Sequence, residues 1–249
     1  MFAAPPRLNL VQMPQQAAKS QHTIVFDLDG TLVDTAPDLV AALNALFERE
    51  GIEQLPFIQA RGFIGGGART LIERGLAAKG RAVTAAEADR LYAGFVASYE
   101  ERVADLSRPF PGVENALDAL AARGLRFAVC TNKVERLSVK LLDALGLSPR
   151  FAAICGPDTF GMPKPDPRVL AATVEAAGGC LRSTLMVGDS DTDVATARAA
   201  NVPIIAVDFG YTDTPVAAFN PDRLISHFDE LLSAVTDMIE GAPLVASGR

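Results

Sequence analysis

Two aspartates separated by one residue, in Asp27-Leu28-Asp29-Gly30-Thr31, directly follow the apolar run Thr23-Ile24-Val25-Phe26. A short β-branched and aromatic run of this kind reads as a buried strand, and the glycine as the turn that ends it. Carboxylates placed there repel each other and resist desolvation, so the pair calls for a neutralising cation. Magnesium, a hard ion that takes oxygen ligands, suits the position. A solvated acidic turn or a calcium loop are the alternatives, but the further oxygen ligands and the distal Glu of an EF-hand loop are missing.

Three further groups stand in the same local setting. Thr131 and Asn132 follow the apolar run Arg126–Cys130, Lys164 lies in Met162-Pro-Lys-Pro-Asp166, and Asp189 and Asp193 lie in Gly188-Asp189-Ser-Asp-Thr-Asp193 after Thr184–Val187. Taken singly, each is compatible with a turn, a helix cap or a solvated loop. Together they fall at the ends of successive expected strands.

With these four motifs in this order, the chain resembles the haloacid dehalogenase superfamily, whose phosphatases carry a first motif of the form Asp-x-Asp-x-Thr. The resemblance runs from about Thr23 to Leu232. It implies Asp27 as nucleophile and Asp29 as general acid and base. Mg2+ would be held by Asp27, the backbone carbonyl of Asp29, and Asp189, with Asp193 orienting the groups around it. Thr131, Asn132 and Lys164 would grip the phosphoryl oxygens, and Lys164 would also restrain Asp27. Dehalogenases of the superfamily lack the acid that Asp29 supplies, so phosphoryl chemistry is favoured.

The elements that must position these residues follow from periodicity. Apolar runs at Thr23–Phe26, Arg126–Cys130, Phe151–Cys155, Thr184–Val187 and Pro203–Val207 alternate with helical patterns at Gly112–Gly124, about Glu135–Leu145, Pro167–Ala177 and Asp193–Ala200. This alternation predicts an α/β fold with a doubly wound parallel sheet, whose ligands bind at the carboxyl ends of the strands. Residues 36–108 break the pattern with Ala-, Leu-, Glu- and Arg-rich helical periodicity and no convincing strand, which predicts an inserted helical cap domain. The catalytic domain is then 23–35 and 109–240. Residues 1–22 read as a loose extension in which Met13 is an alternative start, and 241–249 as a tail.

Within the insertion, Phe63-Ile-Gly65-Gly66-Gly67-Ala68-Arg69 places three glycines and an arginine at a helix start, which suits either an anion or a flexible turn. The stretch resembles the lid loop of bacterial phosphoglycolate phosphatases, as do Thr31–Asp38, Thr131-Asn132-Lys133 and Phe209-Gly210-Tyr211, with Gly66 standing where many relatives have Asn. The implied substrate is 2-phosphoglycolate. Phosphatases of another acid or sugar phosphate such as N-acetylmuramic acid 6-phosphate, a β-phosphoglucomutase-like phosphomutase, and a non-catalytic binding protein on the same fold are the other readings.

Composition narrows the partners. The 249-residue chain carries a net charge of −7 and no basic run, which excludes long-range attraction to nucleic acid or an anionic membrane. A small phosphorylated metabolite is the expected partner, and no residue pattern points to a protein partner. Three dispersed cysteines and the lack of a long apolar stretch are expected of a cytoplasmic protein. Cys130, His22 and His227 read as packing or surface residues.

Overall fold

The computed structural model describes residues 21–212 and 214–240. Six strands form one parallel sheet: β1 (Thr23–Phe26), β4 (Arg126–Cys130), β5 (Ala153–Cys155), β6 (Thr184–Gly188), β7 (Ile204–Val207) and β8 (Arg223–Ile225), in the order β5-β4-β1-β6-β7-β8. The two remaining strands, β2 (Val33–Asp34) and β3 (Arg108–Pro109), pair antiparallel with each other. Because side chains alternate across a strand, the apolar runs feed two cores. Ile24, Phe26, Phe127, Val129, Leu185 and Val187 face one side; Val25, Ala128, Cys130, Met186 and Ile204 face the other.

Among the described residues there are also ten α-helices. The insertion holds α1 (Ala36–Arg49), α2 (Phe57–Arg61), α3 (Gly67–Ala78) and α4 (Ala85–Glu101), and the remainder are α5 (Val113–Ala122), α6 (Glu135–Ala144), α7 (Pro157–Phe160), α8 (Pro167–Ala176), α9 (Asp191–Ala199) and α10 (Leu231–Glu240). The cap helices bury Leu43, Leu46, Phe47, Leu91 and Phe95 against one another. Gly75 lets α3 approach α1, since a Cβ there would stand 2.9 Å from the Phe47 ring. Among the described residues no helix is long and apolar enough to cross a membrane.

The cap leaves and rejoins the core through a two-stranded neck in which Val33 pairs with Pro109 and Asp34 with Arg108. Asp38, buried in the first turn of α1, locks the neck by accepting hydrogen bonds from Leu106 N, Ser107 N and Ser107 Oγ. Three backbone and hydroxyl donors on one carboxylate satisfy a charge that burial would otherwise penalise.

The structure departs from the sequence expectations at several boundaries. The neck strands and β8 were not expected, because elements of two or three residues carry too little periodicity. Arg108 belongs to a strand rather than to the end of a helical insert, and α9 begins at Asp191, so Asp193 lies inside its first turn. His22 lies at the sheet's margin, its carbonyl accepting from Arg126 N. Met13, the rest of the expected extension and the 241–249 tail lie outside the described residues.

Candidate active site

Parallel register brings the motif residues together. Phe26 is in register with Val129 on β4 and Val187 on β6, so Asp27, one residue on, and Thr131 and Asp189, two residues on, emerge at adjacent strand ends. Asp27 is fixed there by its N–H, which donates to Val187 O at 2.9 Å. Gly30, at φ +88°, then turns the chain back so that Thr31, Leu32 and Val33 N–H groups converge on Leu28 O.

Four charged groups sit below the cleft floor. Lys164 Nζ lies 2.9 Å from Asp27 Oδ1 and 2.6 Å from Asp193 Oδ1. Asp193 Oδ2 accepts from Asp189 N, Ser190 N and Ser190 Oγ, so both of its oxygens are engaged within the protein. Asp189 accepts from Thr31 Oγ1 through Oδ1 and from Tyr211 N through Oδ2, each at 2.9 Å. Gly30 and Gly210 make room for that carboxylate, because a Cβ at either position would collide with it.

Charge decides what this cluster needs. Ligand atoms of Asp27, Asp189 and Asp193 all lie within 4.8 Å of one another, and all three residues are buried. One ammonium, Lys164, faces them, so full ionisation leaves an excess of two negative charges. Burial pushes the proton affinities of Asp27 and Asp189 upward, and the neighbouring carboxylates push in the same direction. Although burial opposes its charge, Asp193 and Asp27 hold Lys164 above the usual lysine range. Asp27 Oδ1 has no partner but Lys164 among the described residues. A dense, oxygen-only, under-neutralised set of this kind fits a hard divalent cation.

Above the floor, the cleft is walled by the cap. Asp27, Asp29, Thr131, Asn132 and Lys133 form its polar base, while Ile64, Ala68, Leu71, Phe95 and Val96 contribute an apolar roof. Gly65 and Gly67 line it, and Gly67 (φ +85°) comes so close to the core that a Cβ would stand 3.0 Å from Asn132 O.

Some expected residues stand differently. Arg69 does not line the cleft; it pairs with Asp89 and lies over the Tyr92 ring, with its side chain 46% exposed. Gly66 is turned toward Thr70 instead of the cleft. The Asn132 side chain is committed to the Lys164 backbone, donating to Lys164 O and accepting from Lys164 N, so it ties two site loops together. Cys130 is buried, and burial pushes its thiol up to about 11, which leaves it unreactive.

Sequence reasoning missed four residues. Lys133 donates to both oxygens of Asp29. Tyr99 of α4 closes over Lys133. Tyr211 links Asp189 to the neck, its hydroxyl accepting from Thr35 N and Ala36 N and donating to Asp34 Oδ1. Arg61 ties cap to core by donating to Phe209 O and Gly210 O. Lys133 and Tyr211 stand in stretches that carry the resemblance but without a role assigned to them; Tyr99 and Arg61 have no local signal.

Comparison with known proteins agrees with this geometry. Residues 24–207 match the family described as haloacid dehalogenase-like hydrolase. A phosphoglycolate phosphatase of Mesorhizobium japonicum is 50% identical over 215 residues, covering 85% of this chain and 93% of that protein. One of Caulobacter vibrioides is 46% identical over 226 residues, covering 91% and 95%. Among solved structures, a predicted phosphoglycolate phosphatase from Haemophilus somnus superposes with a TM-score of 0.80 at 29% identity, covering 86% of this chain and 97% of that one. The chain therefore belongs to the haloacid dehalogenase-like hydrolase family and groups there with its phosphatases.

Proposed function

We propose that the chain is a magnesium-dependent phosphomonoesterase that hydrolyses 2-phosphoglycolate to glycolate and phosphate. The observation that carries the reading is the buried triad Asp27, Asp189 and Asp193 opposed by Lys164, at the base of a cleft that also holds Asp29 and Thr131. The substrate is supported by the names of the relatives described above.

Asp27 attacks the phosphorus in line, and the ester P–O bond breaks as the acyl phosphate forms. Asp29 gives a proton to the departing alkoxide, then takes one from the water that attacks the same phosphorus and restores Asp27. Lys164 and the Thr131 hydroxyl hold phosphoryl oxygens, with Lys164 also keeping the Asp27 carboxylate oriented. Asp193 acts through its neighbours, fixing Lys164 and the turn that carries Asp189. A divalent cation held by Asp27, Asp189 and the Asp29 carbonyl would neutralise charge on the transferring phosphoryl group. The cap excludes water from the cleft and contacts the remainder of the ester.

Phosphate release from a panel of small esters tests the assignment. With magnesium, 2-phosphoglycolate is expected to give the highest kcat/KM, and excess chelator to remove turnover. Preference for another ester refutes the substrate; release that survives chelation refutes the metal dependence.

Gly210→Ala is expected to weaken magnesium binding by about 10- to 100-fold, since the added Cβ must displace the Asp189 carboxylate. A magnesium titration monitored by calorimetry, with circular dichroism as a check on folding, reads this effect. Unchanged affinity in a folded variant argues against Asp189 as a ligand.

A further inference from the structure

The proposed reaction leaves one buried cation of the cleft without a task. Lys133 is only 7% exposed, and its ammonium donates to Asp29 Oδ1 and Oδ2 at 2.9 and 3.1 Å. The same Nζ lies 4.6 Å from the centroid of the Tyr99 ring, which reaches down from α4 of the cap. Tyr99 is 1% exposed, and its hydroxyl, beside the Lys133 ammonium, finds no acceptor for its own proton among the described residues. A buried O–H without an acceptor is costly, and lining a cleft beside an ammonium gives it an obvious class of partner, a small anion.

Both groups carry the charge state that an anion receptor requires. Lys133 is held as an ammonium by its ion pair with the Asp29 carboxylate. Burial pushes the Tyr99 hydroxyl up to about 12, so it remains a neutral donor. Elsewhere the cap-facing wall is apolar, with Leu39, Ile64, Leu71, Phe95 and Val96, and a carboxylate placed against it would be desolvated without compensation. Arg69, the basic residue of the cap's glycine loop, points away to Asp89.

Reach also selects this pair. The ester oxygen must come within hydrogen-bond distance of Asp29 to receive a proton, and Lys133 Nζ already lies within hydrogen-bond distance of that same carboxylate. In 2-phosphoglycolate a single carbon joins the ester oxygen to the carboxylate, so the two groups are to be received by side chains that are themselves neighbours, as Asp29 and Lys133 are.

We propose that Lys133 and the Tyr99 hydroxyl form the receptor for the carboxylate of the substrate, and that Lys133 passes from Asp29 to this carboxylate when the substrate binds. The inference rests on the phosphomonoesterase reading above. Recognition and catalysis are thereby linked: an ester with a carboxylate on its alcohol part releases Asp29 from its ion pair as the ester oxygen arrives, whereas an ester of the same size with a neutral alcohol part leaves Lys133 on Asp29. The cap contributes through Tyr99, so the receptor is complete only with α4 over the core.

The test compares kcat/KM for 2-phosphoglycolate with that for ethyl phosphate, which has a methyl group in place of the carboxylate. Wild-type protein, Lys133→Met and Tyr99→Phe are measured with magnesium, each with a thermal melt. Wild-type protein is expected to favour the acidic ester. Lys133→Met is expected to lose about 100-fold on 2-phosphoglycolate and much less on ethyl phosphate, so that the ratio between them collapses. Tyr99→Phe removes a hydroxyl that donates to no described residue and leaves Lys133 its bonds to Asp29, should fold as the wild type does, and is expected to lower the same ratio roughly fivefold. If Lys133→Met does not fold, Tyr99→Phe decides. Equal losses on both esters, or an unchanged ratio, overturn the receptor and leave Lys133 as a support for Asp29. Wild-type turnover without preference for the acidic ester overturns the receptor alone; no turnover of either ester overturns the phosphomonoesterase reading beneath it.

Discussion

Asp27→Asn is expected to lower phosphate release by roughly 10,000-fold or more, because an amide cannot form the acyl phosphate and the reaction loses its two-step route. The same change should not unfold the protein. Asp27 is one of three buried carboxylates facing a single ammonium, so a neutral isostere reduces the uncompensated charge. The variant gives up the ion pair of Oδ1 with Lys164, but Lys164 keeps Asp193 at 2.6 Å. In chelator the melting temperature should therefore equal or exceed that of the wild type. Loss of activity with a retained or raised melting temperature separates a chemical role from a structural one. Activity within tenfold of wild type would place the nucleophile elsewhere, for instance in a directly attacking water.

The stability of the metal-free protein is expected to fall as pH rises, and magnesium to restore it. Asp189 is raised from the ordinary carboxylate range to about 8, first by burial and then by Asp193 and Asp27. An acid whose proton affinity is higher in the folded state binds more protons there than in the unfolded chain. Its stabilising contribution is complete below about pH 4, where both states are protonated, and is lost as pH climbs through the folded value near 8. Asp27 shifts in the same direction, so the two act together. Melting temperatures in chelator between pH 5 and 8 should decline by an amount on the order of 10 °C relative to Asp189→Asn, which lacks the titrating acid. Added magnesium competes with the protons, so its stabilisation should be small at pH 5 and largest near pH 8. Parallel curves for the two proteins in chelator would show that the triad is not the source of the slope, and a magnesium effect independent of pH would show that the ion binds elsewhere.

How far the site could be read in advance depended on how local each interaction is. Asp27, Thr131 and Asp189 were legible because each directly follows a strand whose apolar run is continuous, and parallel pairing necessarily sets such residues side by side. The neck strands and β8 were not legible, since their few residues acquire strand geometry only from the neighbours that pair with them. Arg69 shows the limit most clearly. A basic residue after three glycines suggested an anion site, but the face that α3 turns to the core is apolar, and the arginine is left to pair with Asp89 on α4. The buried cation of the cleft is Lys133, visible in the chain but without a signal that its partners would be Asp29, 104 residues earlier, and Tyr99 from the cap.

The sequence by itself determined the α/β alternation, the helical insertion and the set of acidic and basic residues at strand ends, because periodicity and strand-end chemistry act over a few residues. Tertiary structure alone decided which of these groups share a charge: that Lys164 bridges Asp27 and Asp193, that Asn132 serves the Lys164 backbone, and that Tyr211 joins Asp189 to the neck. The physical reason is that burial and Coulomb interactions depend on distance in space. Residues separated by more than a hundred positions along the chain, as Asp27 and Lys164 are, acquire their charge states only when the folded sheet has closed water out between them.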